Sequence, residues 1–250
     1  MSFLSLRGVS KSFGGIQALA NISFDVERGS IVGIMGANGA GKTTLFNVIT
    51  GHLAASSGQI LLNGTPLTGL RPDQVCRAGI GRTFQIVKPF PQLTVRENLL
   101  TAAMFGAARL RNRHEALAHC EKILDEMGMS HMAGLAAQEL TLSGQKRLEL
   151  ARAICTGSEL ILLDEVMAGL TPPEVRDMLT IITSLHRARG LTLLIIEHVM
   201  RALMELSSQI IVLHHGEKIA SGSPQEIAEN PRVHDVYFGE KNDRDAAVVE

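Results

Sequence analysis

Gly36-Ala37-Asn38-Gly39-Ala40-Gly41-Lys42-Thr43-Thr44 decides how this 250-residue chain is read. Its pattern is G-x-x-x-x-G-K-T, entered by an apolar stretch, Ile31-Val-Gly-Ile-Met35, and left by a helical run, Thr44-Leu-Phe-Asn-Val-Ile49. Glycines permit backbone angles that a Cβ forbids, so successive N–H groups can turn inward around an anion. The exiting helix points its unsatisfied N–H groups and positive dipole end at the same place, an effect of about 0.3–1 kcal/mol per exposed charge. Lys42 adds a full positive charge for the β and γ phosphates. Thr43 offers a hydroxyl to the Mg²⁺ that travels with them. The stretch predicts a site for a nucleoside triphosphate.

Composition sets the frame around that site. With 45% hydrophobic and 20% charged residues, the chain has material for one sizeable core, with or without a subdomain. Its longest apolar runs, such as Leu191-Thr-Leu-Leu-Ile-Ile196, fall far short of the roughly 20 residues a membrane span needs. The amino terminus, Met1-Ser-Phe-Leu-Ser-Leu-Arg7, has no basic start and no long apolar stretch, which predicts a cytoplasmic location. Cys76, Cys120 and Cys155 stand apart without histidine or cysteine neighbours at metal spacing, so reduced structural thiols are expected. A net charge of −1 gives no electrostatic reason for binding nucleic acid.

Read in order, the chain predicts an α/β fold. Leu4 to Phe13 and Asn21 to Val26 alternate like half-buried antiparallel strands, with Gly14-Gly15 as the turn. Ile31 to Met35 is continuously apolar, as in a strand covered on both faces. Gln59 to Asn63 reads as a further strand, and Ile80 to Gln85 lies near another strand end. From Val95 to about Gly157 the pattern becomes helical, and His114 to Met127 sets Leu117, Cys120, Leu124 and Met127 on one stripe. Leu160 to Leu163 returns to a buried strand ending in Asp164-Glu165. Pro172 to Arg189 reads as a helix closed by Gly190, and Leu191 to Ile196 as a strand ending in Glu197-His198. Ile210 to Leu213 and Lys218 to Ala220 make a hairpin, Ser223-Pro224 starts a short final helix, and residues from Lys241 on form a polar tail. Strands alternating with helices imply a largely parallel sheet.

Leu142-Ser143-Gly144-Gln145-Lys146 precedes a helical run, Arg147 to Thr156, with Ser143 placed as N-cap. Together with the phosphate stretch and the strand-end Asp-Glu pair, it resembles the ATP-binding cassette (ABC) family from Phe13 to His198. The resemblance implies a P-loop NTPase with a RecA-like, mainly parallel core, an antiparallel β subdomain and an inserted α-helical subdomain. One ATPase domain over 1–240 is implied, with core parts 1–87 and 158–240, a helical part 88–157, and 241–250 as tail. Leu142 to Lys146 would be the signature loop that touches ATP across a dimer, whose second cassette is either identical or related. Asp164 resembles the family's magnesium-holding acid and Glu165 its general base. Gln85 is similar to the residue that senses Mg²⁺, with an exposed loop glutamine as the alternative. His198 is similar to the switch histidine on the γ-phosphate, and Phe13 to the aromatic stacked on adenine, a strand-core role being its alternative. Two departures stand out: Val166 replaces the family's usual proline, and Ala168-Gly169-Leu170-Thr171 replaces its usual S-A-L-D loop.

Gly81-Arg-Thr-Phe-Gln85, Leu93-Thr-Val-Arg-Glu-Asn98, Leu163 to Leu170 and Val236-Tyr-Phe-Gly239 look like the ATP-binding subunit of branched-chain amino acid importers. That resemblance implies separate membrane permease subunits, docked near Phe90 and Leu93, and indirectly a periplasmic solute-binding protein. It implies a peripheral position on the inner face of the membrane. Lipopolysaccharide export, urea or amide import, and a soluble cassette acting on ribosomes or DNA are the rival readings.

Overall fold

The structure, a computed structural model, describes residues 2–236. The amino-terminal alternation folds as β1 (Ser2–Phe13) and β2 (Ile16–Glu27), paired antiparallel across the Gly14-Gly15 turn. Continuous hydrophobicity gives β3 (Ile31–Met35), buried throughout, and the glycine-rich stretch leads from it into α1 (Lys42–Ile49). Next come β4 (Ser57–Leu62), β5 (Thr65–Pro66), α2 (Pro72–Ala78) and β6 (Ile80–Arg82). Three helices, α3 (Val95–Phe105), α4 (Arg113–Glu126) and α5 (Leu142–Cys155), fill the chain before β7 (Leu160–Asp164). After α6 (Pro172–Arg189) the left-handed Gly190 stops the helix, and β8 (Thr192–Ile196) follows. The described chain ends with α7 (Met200–Leu206), the hairpin β9 (Gln209–His214) and β10 (Glu217–Gly222), α8 (Pro224–Ala228) and α9 (Pro231–His234).

The strands form two sheets. A 4-stranded antiparallel sheet runs β2-β1-β4-β5, and a 6-stranded sheet runs β10-β9-β3-β8-β7-β6. In the larger sheet only the β9–β10 pairing is antiparallel; β9, β3, β8, β7 and β6 run parallel. Period-two alternation divides the apolar residues between its faces. Val32, Ile34, Leu160, Leu162, Leu194 and Ile196 pack towards the smaller sheet and α1. Ile31, Met35, Ile161, Leu163, Leu193 and Ile195 pack towards the helices. A one-residue slip of β3 would exchange these sets, so burial itself fixes the register.

Two expectations are corrected. On α4 the buried residues are Ala116, Cys120, Ile123 and Leu124, while Leu117 is only half-buried, because the core meets the helix slightly to one side of the predicted stripe. The helix at Pro224 is not the last, since Asn230 caps α9 by accepting from the Arg232 and Val233 N–H groups. Ile80 to Gln85 does lie at a strand end, with β6 stopping at Arg82 and Gln85 following it. Of the Val236 to Gly239 motif, 237–239 lie outside the described residues, as does the tail 241–250. All three cysteines are free thiols, and Cys120 and Cys155 meet in the core with sulfurs 3.7 Å apart.

In the segment between β6 and α3, residues 90–94 are pinned by the buried side chain of Asn98. Asn98 accepts from the Phe90 N–H and donates to the carbonyls of Phe90, Leu93 and Thr94. Thr94 caps α3 reciprocally with Glu97. Asn98→Leu strands these backbone groups without partners and is expected to cost about 1–3 kcal/mol in urea unfolding. An unchanged midpoint would show that the segment is held by other means.

Candidate nucleotide site

Four parallel strands bring their carboxyl ends to one edge: β3 with the glycine-rich loop, β8 with Glu197-His198, β7 with Asp164-Glu165, and β6 with the segment leading to Gln85. Ligands of open α/β sheets bind at this edge. Gly41 takes φ 102°, and a Cβ there would lie 2.7 Å from the Ala18 carbonyl, so the turn into α1 admits no other residue without strain. No side chain caps the start of α1, leaving its first N–H groups to an anion. The β9–β10 turn braces the loop, the Gly216 N–H donating to the Ala40 carbonyl. Lys42 is buried, its ammonium donating to the Gly36 and Ala37 carbonyls at 2.7 and 3.0 Å. Burial draws its pKa down, against the pull of Glu165 and Asp164.

The structure brings three of the predicted residues into direct contact. Glu165 accepts from Gln85 Nε2 at 2.7 Å on one carboxylate oxygen and pairs with His198 Nε2 at 2.8 Å on the other. Its backbone is left-handed, φ 51°, and its N–H donates to the Ile196 carbonyl on β8. Asp164 beside it is buried and pairs with Arg82 at 2.8 Å, while its Oδ1 makes no hydrogen bond. Arg82 also donates to Asn47 and Thr50, tying β6 to α1, and Thr83 accepts from the Asp164 N–H. Sequence reasoning missed Arg82 and Thr83; the only available signal was a cation directly after Gly81 on a strand covered on both faces. Glu197 was read as a mere strand end, yet it is buried, accepts from the Met167 N–H at 2.9 Å, and has its pKa pushed up to about 7 by burial.

The signature stretch is corrected in register. Its helix begins at Leu142, before Arg147, and the cap is Thr141, whose hydroxyl accepts from the Gly144 N–H; Ser143 lies inside the first turn and is buried. A threonine three residues before Gly144 was the available signal. Leu142 is exposed, Gln145 turns back to the Leu140 carbonyl, and Lys146 is buried against its own chain. Of the departures, Val166 is buried and Thr171 retains a helix start, its N–H and hydroxyl both donating to Glu174. Phe13 is 46% exposed with the Lys11 ammonium 5.0 Å from its ring centre, so it is not a core residue.

A glycine-rich phosphate loop, a strand-end Asp-Glu pair and a second helix start on an inserted helical segment define an ATP-binding cassette. Residues 19–168 match the family model described as ABC transporter, and residues 217–242 the one described as branched-chain amino acid ATP-binding cassette transporter. The chain is 38% identical over 249 residues to the high-affinity branched-chain amino acid transport ATP-binding protein LivG of Salmonella typhimurium, covering 95% of this chain and 98% of LivG. It is 36% identical to BraF of Pseudomonas aeruginosa over the same shares. The crystal structure of the ADP conformation of MJ1267, an ATP-binding cassette of an ABC transporter, superposes with a TM-score of 0.86 at 32% identity, covering 96% and 99% of the two chains. The chain belongs to the ABC transporter ATP-binding family and is an ATPase.

The buried Glu197 gives a pH signature. With its pKa raised from 4.5 to about 7, the folded state holds a proton that the unfolded state releases, so this group lowers stability as pH rises from 4.5 to about 7. Glu197→Gln removes the ionisation and keeps an acceptor for the Met167 N–H. The fall in Tm between pH 5 and pH 8 is expected to be shallower in this variant than in the parent chain. Parallel Tm profiles would show that Glu197 does not titrate in that window.

Proposed function

We propose that the chain is the ATP-hydrolysing subunit of an importer of branched-chain amino acids. The observation that carries the substrate class is the match over residues 217–242, which lies apart from the phosphate loop and the Asp-Glu pair and so does not follow from ATP binding alone. The names of LivG and BraF agree with it. Among the described residues no helix is long and apolar enough to cross a membrane, and we place the chain on the cytoplasmic face, peripheral to separate permease subunits. A cavity of about 340 Å³ lined by Phe84, Lys88, Phe90, Phe105 and Arg152 offers those subunits an apolar seat with a basic rim. Leu93 lies on the same segment. A solute-binding protein outside the membrane would choose the amino acid.

In this reading Gly36 to Thr44 cradles the phosphates of ATP through backbone N–H groups, and Phe13 stacks on adenine. The Lys42 ammonium exchanges two neutral carbonyl acceptors for charged phosphate oxygens, which bind it more strongly. Glu165 accepts the proton of the attacking water, with Gln85 and His198 orienting its carboxylate. Among the described residues no cluster of three His, Cys, Asp or Glu side chains could hold a metal alone. Asp164, whose Oδ1 is buried without a partner, suits a cation's shell, with Thr43 and Gln85 completing the protein's share. Mg²⁺ there would neutralise negative charge on the phosphate oxygens. A second cassette, identical or related, would close the site with its own Thr141 to Gln145. ATP drives closure only through its different affinity for open and closed states.

Glu165→Gln is expected to keep ATP binding and lower turnover by about 10²–10⁴-fold. Lys42→Ala is expected to weaken nucleotide binding by roughly 10- to 100-fold, the worth of a charged hydrogen bond. Fluorescent-nucleotide titration and steady-state phosphate release measure the two effects; undiminished hydrolysis by the Glu165 variant would remove the base assignment. In proteoliposomes carrying the permease subunits and solute-binding protein, ATP-dependent uptake of labelled leucine is expected. Uptake of urea in place of leucine would overturn the substrate class.

A further inference from the structure

Lys146 stands where two effects oppose a positive charge. It lies near the amino end of α5, whose partial charge is positive, and its side chain is buried. Burial draws its pKa down, against the opposing pull of Glu197, Glu165, Asp164 and Glu149. Helix stability alone would not place a lysine there. Its ammonium donates to the Glu165 carbonyl at 2.9 Å and to the Gln85 carbonyl at 3.1 Å.

These two carbonyls belong to the residues whose side chains meet at the site, Gln85 Nε2 donating to Glu165 Oε2. Glu165 is held in a left-handed conformation that costs a non-glycine residue on the order of 1–3 kcal/mol. Strand β8 holds its N–H through the Ile196 carbonyl, and Lys146 holds its carbonyl. The same helix grips the segment beyond Gln85, since Glu149 accepts from the Lys88 N–H and Arg152 donates to the Lys88 carbonyl. Loop 85–88 and the Glu165 peptide are therefore both fastened to α5.

We propose that Lys146 is a positioning residue for hydrolysis: carried on α5, it fixes the backbones of Gln85 and Glu165, so that a displacement of α5 moves the hydrolytic carboxylate. The proposal rests on Glu165 being the base. A role limited to balancing the buried carboxylates is the competing explanation, and a paired substitution separates the two. In Lys146→Met, kcat for ATP is expected to fall by about 10²-fold, the scale of an ångström-sized misplacement, with KM and fluorescent-nucleotide affinity within about twofold of the parent. Adding Glu197→Gln removes one of the ionisable carboxyls that Lys146 faces, so at pH 8 it is expected to raise Tm again while kcat stays low. Recovery of kcat together with Tm, or a loss in KM with kcat intact, would overturn the proposal. Should the single variant fail to fold, the double variant carries the test alone. Glu165→Gln, assayed alongside, keeps the outcomes distinct: if it hydrolyses ATP normally the base assignment fails, whereas if it is inactive a null result at Lys146 refutes only the positioning role.

Discussion

The left-handed peptide of Glu165 is the constraint on which this site depends. Strand β7 ends at Asp164, and the next residue turns its backbone to φ 51° so that the carboxylate meets Gln85 and His198. Such a conformation persists only where the surroundings over-determine it. Here they do so from three sides, through the Ile196 carbonyl, the Lys146 ammonium and the two side-chain partners. The site therefore has the rigidity of the sheet edge, while its Gln85 and α5 contacts lead out to the helical segment.

Charge is arranged with the same economy. Arg82 and Asp164 form an ion pair with side chains only 6% and 2% exposed, and removing one partner would leave the other charge uncompensated in a poorly solvated place. Lys42 is handled differently. It rests on the neutral carbonyls of Gly36 and Ala37, weaker partners than phosphate, so under the proposed function an arriving triphosphate would meet a cation already in place. At Glu197, burial favours the protonated form and an acceptor oxygen holds the backbone at Met167. The cations nearest the glycine-rich loop and the acids at the β7 end thus have separate tasks within a few strands' width.

Much of this was legible because parallel strands end together. Once Ile31 to Met35, Leu160 to Leu163 and Leu191 to Ile196 are read as buried strands, the residues that follow them fall on one edge, and Glu165 and His198 become neighbours although 33 positions apart. Periodicity carries no information about which distant side chains pair. The Arg82–Asp164 bond spans 82 positions, and the Cys120–Cys155 contact spans 35; neither leaves a local trace. The helix start at Leu142 was misread for another reason. Ser143 and Thr141 are both good caps, and only the packing of the first turn decides for threonine. Lys146 carries a charge that sequence rules assign to solvent, and tertiary carbonyls overrule them.

A crystal structure of the chain with Mg²⁺ and a non-hydrolysable ATP analogue tests the account most directly. It should show the triphosphate within Gly36 to Thr44, the Lys42 ammonium moved from the Gly36 and Ala37 carbonyls onto phosphate oxygens, and Glu165, Gln85 and His198 gathered at the γ-phosphate end. A triphosphate seated elsewhere, or Lys42 still on those carbonyls with Glu165 turned away from the γ-phosphate, would contradict it.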